Sequence, residues 1–177
     1  MMKKLLLLTA SLSLVLAACS GDKEEKKDTT TEGTKTSEEK VNPAGDMMKF
    51  YLSISQSINA VDADLNAFET AKAEEALPKG AELKTMQDAA KVAADNAAVK
   101  VEELEVPAEL KDHQETIDSA LNKMQEAYTM KSDALAAEGE VVLDEANAKF
   151  EEADAELNKV LEEVGLAGSS IFNEVSL

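Results

Sequence analysis

The sequence predicts an all-α protein: an up-down-up-down four-helix bundle that follows a disordered tether. Three observations predict it. Apolar residues recur in steps of three and four through most of residues 43–177, the spacing that lines one face of an α-helix. Breakers interrupt that rhythm at Pro78 and Gly80, at Pro107, at Gly139 and at Gly165. No strand-like alternation of comparable length competes. Two other architectures fit the pattern: a three-helix bundle whose long last helix runs through Gly139, and a coiled-coil dimer, against which the regular breaks argue.

Residues 1–18 come first. Lys3 and Lys4 form a short basic head, and residues 5–16 are mostly apolar. That run is shorter than the about 20 residues that cross a bilayer, and has the size of the apolar core of a secretory signal. It ends in Leu16-Ala17-Ala18-Cys19, and Cys19 is the only cysteine of the chain. Leucine, two alanines and then cysteine resemble the lipobox of bacterial lipoproteins. The resemblance implies cleavage just before Cys19, a diacylglyceryl group on its thiol, and often a further acyl chain of the palmitate kind on the new amine. An ordinary signal peptide with an incidental cysteine would leave a lone thiol in an oxidising space with nothing to pair with. Lipidation accounts for both the position and the count. Two or three acyl chains give a stable membrane anchor, where one binds only marginally.

Residues 19–42 are the lipidated cysteine and a polar spacer. The 23 residues from Ser20 are Lys, Glu, Asp, Thr, Ser and Gly with almost nothing apolar. Such a composition cannot bury enough surface to offset the entropy of ordering, so disorder is expected. A flexible chain of this length spans roughly 25–30 Å on average and at most about 80 Å. The whole chain carries a formal charge of −18, all 18 basic residues being lysine. Losing a signal with two lysines and no acid makes the mature chain more acidic still. It lacks the cationic face that nucleic acid requires, and anionic headgroups repel it. Membrane attachment is therefore assigned to the lipid on Cys19, and cationic partners or counterions are favoured.

Residues 43–177 are long enough for one domain with a real core. The first helix is expected to open with Asn42 as N-cap and Pro43 at its first position. Its stripe runs through Met47, Tyr51, Ile54, Ile58, Val61, Leu65 and Phe68. The second, Leu83, Met86, Ala90, Ala93, Ala97 and Leu104, is rich in alanine, which lets a neighbour approach closely. The third follows Pro107 through Leu110, Ile117, Leu121, Met124, Tyr128 and Leu135. The fourth takes Leu143, Ala146, Phe150, Ala153, Leu157, Val160 and Val164. Amphipathic helices of this kind are unstable alone and need partners for their stripes, and short connections favour antiparallel neighbours. After Gly165, Ser169 or Ser170 is expected to cap a short turn that docks Phe172 on the bundle end. The competing reading is a free apolar tail that grips a partner.

Candidate chemistry is sparse. His113, the only histidine, stands four residues after Glu109, a spacing that offers two ligands on one helix face. A zinc site needs three or four ligands, and no other His or Cys is at hand outside residue 19. Residues 62–68, DADLNAF, open like a calcium loop. That loop needs Gly at its sixth position and Glu at its twelfth; Ala67 and Ala73 stand there instead. The pairs Glu102–Glu103, Glu151–Glu152 and Glu162–Glu163 point about 100° apart on a helix and read as solvated faces. No nucleophile elbow, phosphate loop or dinucleotide glycine pattern occurs. Four Phe, two Tyr and no Trp leave little aromatic lining for a small-molecule pocket. No catalytic residue, metal ligand or cofactor is assigned.

In layout the chain resembles small cell-surface lipoproteins of Gram-positive bacteria, although a Gram-negative inner or outer membrane stays open. Residues 106–128, VPAELKDHQETIDSALNKMQEAY, are similar to a Pro-x-Glu-Leu…His segment found in some of their helical domains. The resemblance implies no particular activity. The expected function is a non-enzymatic interaction or spacer module of the cell envelope, lipid-anchored outside the cytoplasm, with an envelope protein as partner. The alternative is a surface sensor that binds a cation or ligand through its acidic domain.

Overall fold

A computed structural model describes residues 42–176. The signal read over 1–18, its cleavage box at Leu16, Ala17 and Ala18, the lipidation site Cys19 and the spacer up to residue 41 lie outside the described residues. The described chain is all-helical, with no strand. Its α-helices are α1 (Pro43–Asn59), α2 (Ala63–Ala73), α3 (Ala81–Glu102), α4 (Gln114–Ala136), α5 (Asp144–Glu163) and α6 (Ile171–Val175). A 3-10 helix (Ala108–His113) leads into α4.

α1 begins where the sequence places it. Pro43 occupies the first turn, and the Asn42 side chain accepts the Gly45 amide at 3.2 Å. The predicted stripe is real but does not belong to one helix. The chain leaves the helix after Asn59 and restarts at Ala63. Val61 and Asp62 favour that departure, one by β-branching and the other because its short carboxylate competes for backbone amides. Leu65 and Phe68 still reach the core from α2, each almost fully buried.

α2 closes with a Schellman motif: the Glu75 amide donates to Lys72 and the Ala76 amide to Ala71. The motif sets its pivotal residue, Glu75, at φ 56°, the left-handed region. α5 ends the same way, with Gly165 as pivot at φ 83° and amides of Gly165 and Leu166 donating to Glu162 and Leu161.

α3 buries Ala90, Ala93, Ala94, Ala97, Ala98 and Val101. This small-residue face lies against α4, which contributes Ala120 and Ala127 beside Ile117, Leu121, Met124 and Tyr128. α4 is central, packing on α3 and on α5. α2 rests on α3, while α1 contacts α3, the 3-10 helix and α6. α4 ends at Ala136 and α5 begins at Asp144, with Gly139 between them at φ 106°. The fused last helix of the three-helix alternative is therefore not formed.

The segment after Gly165 docks. Ile171 and Val175 are buried, and the Phe172 ring lies 5.4 Å from that of Phe150. Ser170 is the cap, its hydroxyl accepting the Asn173 amide at 3.0 Å. The tail is thus packed on its own chain rather than free.

Candidate functional site

Charge enters the core in two places. The first is built around Lys131 of α4, only 3% exposed. Its ammonium donates to Glu69 of α2 at 2.7 Å. It also faces two rings, Tyr128 at 5.9 Å and Phe172 at 5.5 Å from their centroids. Asp62, in the turn before α2, is 2% exposed, and its Oδ2 has no hydrogen-bond partner. Burial pushes the Asp62 carboxyl above the usual range, although Asn66 and Lys131 oppose the shift. Tyr128 is pushed well above its ordinary value by burial, and by the charges of Asp62 and Glu69.

The second is Asp154 of α5, which holds the start of α6. Its carboxylate accepts the Ser170 hydroxyl at 2.6 Å and the amides of Ile171 and Phe172 at 2.9 and 3.3 Å. Burial still outweighs these three donors and raises its pKa. Tyr51, on the facing side of α1, is pushed up to about 12, first by burial and then by the charges of Glu174 and Asp154.

Other polar contacts join helices at or just below the surface. Ser132 donates to Asp95, a carboxylate that Lys91 and this hydroxyl hold below its usual range. Lys123 donates to Glu156 at 2.7 Å and lies 3.8 Å from Glu152, joining α4 to α5. Burial pushes Glu156 upward, but Lys123 and Ser119 outweigh it and leave its pKa lowered.

The structure separates the residues that sequence spacing had paired. Glu109 and His113 lie in a 3-10 helix, where residues four apart no longer share a face. His113 instead sets its Nδ1 3.1 Å from Glu163 of α5. The pairs Glu102–Glu103, Glu151–Glu152 and Glu162–Glu163 are exposed. Among the described residues, no three His, Cys, Asp or Glu side chains gather in the way a metal site needs.

Sequence reasoning met Asp62 only as the start of a rejected calcium loop and passed over Lys131 and Asp154, yet for these two a signal was there. Lys131 stands three residues after Tyr128 and four before Leu135, on the line of the α4 stripe. Asp154 stands four after Phe150 and three before Leu157, on that of α5. A stripe traced through apolar residues alone steps over them.

Several grooves open to solvent, two of them along α4 and at the start of α5. One, of about 680 Å³, follows α4 past Lys111, Glu115, Asp118, Asn122, Lys123 and Glu126. The other, of about 510 Å³, lies between the end of α2 and the start of α5, beside Glu69, Lys72, Leu143, Asp144 and Asn147. Both are polar and lack aromatic walls, unlike the apolar clefts that enclose small organic ligands. No family model matches the chain, and no curated protein and no solved structure is similar to it.

Proposed function

We propose that this chain is a lipoprotein anchored on the outer, extracytoplasmic face of a cell membrane, and that its helical domain is a non-enzymatic interaction or spacer module of the envelope. One observation carries the reading: the single cysteine of the chain follows Leu16-Ala17-Ala18 at the end of a basic head and apolar run. Among the described residues no helix is long and apolar enough to cross a membrane; in this proposal the lipid on Cys19 provides attachment. The finer architecture belongs to the same reading. α1 with α2, then α3, α4 and α5 form the four members of an up-down-up-down bundle, which the short connections between them favour.

The test is the mature polypeptide itself. Mass spectrometry is expected to find residue 19 at the N-terminus carrying diacylglyceryl mass. Cys19→Ala is expected to leave an uncleaved precursor or shed protein. Normal processing and membrane retention of that variant would overturn the anchor. Recovery of an envelope protein by crosslinking on intact membranes supports the interaction role.

The formal charge of −18 and the two open polar grooves favour a second reading, a cation- or ligand-binding sensor. Calorimetric titration with calcium, zinc and spermidine separates the two, since tight saturable heat belongs only to the sensor.

A further inference from the structure

Lys131 is an unusual lysine, because this residue type almost never goes inside without a partner. Its ammonium is closed in by Glu69 and by two rings, and those three groups differ in how firmly they are held. Glu69 and Tyr128 belong to α2 and α4, helices of 11 and 23 residues. Phe172 belongs to α6, a helix of five residues. A helix so short has no stability of its own in water. It rests on α1 and α5, and residues 166–170 before it are not helical.

α6 depends on a few contacts. Asp154 accepts three hydrogen bonds from its first turn. Asn158 accepts the Ser169 amide at 2.8 Å, and Asn59 donates to the Glu174 carbonyl at 3.3 Å. Ile171 and Val175 supply the buried apolar anchors. Segments with so few ties open locally at a lower free energy than the whole domain.

We propose that α6 is a latch that gates Lys131: docked, it seals the lysine ammonium beneath Phe172; lifted, it gives that amine to solvent. The two states differ in more than one contact. Docked, Lys131 is buried, its partner Glu69 is half-buried at the rim of a groove, and a ring lies over the cation. Lifted, the two become an exposed pair of the kind that contributes little. The apolar faces of Ile171, Phe172 and Val175, and the Phe150 ring beneath them, are uncovered in the same movement. Asp154 is the positioning residue of the latch, because it alone gathers the hydroxyl and both amides at the start of α6.

The experiment measures the acylation rate of each lysine in the full-length chain with a water-soluble N-hydroxysuccinimide acetate, read by mass spectrometry, beside amide hydrogen exchange. Lys131 is expected to react most slowly among the lysines of residues 42–176. In Asp154→Ala its rate is expected to rise at least tenfold, while Lys84 and Lys100 hold theirs and the amides of α4 stay protected. Phe172→Leu, which keeps apolar bulk and removes the ring, is expected to give a smaller rise. In the unaltered chain the amides of 170–175 are expected to exchange before those of α4, a readout that stands even if Asp154→Ala does not fold. The latch is overturned if Lys131 reacts in both variants at the rate of the unaltered chain, or if α6 and α4 lose protection together.

Discussion

Two buried carboxylates set the acid–base behaviour of this protein. Asp62 and Asp154 both have pKa values raised by burial. A carboxyl whose pKa is higher in the folded state binds its proton more tightly there than in the unfolded chain. Its penalty is therefore full at neutral pH and is relieved as pH falls through the folded-state value. Asp95 and Glu156 are lowered, so their contribution persists until the pH drops below the ordinary carboxylate range of about 4. As pH falls from neutral toward that ordinary range, the first pair takes up its protons before the second, and the thermal midpoint is expected to rise. Asp62→Asn mimics the protonated acid. Its melting curves are expected to show a gain of about 1 kcal/mol or less at pH 7 and a flatter dependence on pH. An unchanged slope would remove Asp62 from this account.

At the scale of elements, the two Schellman motifs form a natural comparison. Gly165 meets the left-handed requirement without steric conflict, whereas Glu75 meets it with a Cβ that crowds the next carbonyl. Glu75→Gly is expected to raise stability by about 0.5–1 kcal/mol, measured by urea titration with an unchanged slope. Loss of stability would show that the Glu75 side chain contributes something its exposed position conceals. The comparison also shows what periodicity can and cannot report. Every residue of the four predicted stripes is buried or half-buried, because apolar spacing reflects which face meets the core. Spacing is silent about backbone direction, so the turn at residues 60–62 inside the first stripe went unseen. The 3-10 geometry that separates Glu109 from His113 was likewise hidden, since Pro107 signals a break but not the pitch of the helix beyond it. The buried ion pair escaped for a different reason: Glu69 and Lys131 are 62 residues apart, and only the tertiary fold brings them together.

For the whole molecule, charge is the dominant fact. The i,i+3 and i,i+4 pairs Lys49–Asp46, Lys84–Asp88, Lys91–Asp95 and Lys100–Glu103 lie on exposed faces, where such contacts contribute only tenths of a kcal/mol. A formal charge of −18 repels itself over the whole surface. Raising salt from about 0.01 M to about 1 M shortens the Debye length from about 30 Å to about 3 Å. The thermal midpoint of the chain is expected to climb across that range, and a fall would mean that attractive pairs outweigh the repulsion. What resists the repulsion is the alanine face of α3 against α4. A methyl group has no rotamers to freeze, so the alanines of α3 add no side-chain entropy cost, which falls instead on the larger α4 residues Ile117, Leu121, Met124 and Tyr128. On the α3 side heat therefore finds no rotamers to loosen, and that face keeps its order until the two helices part.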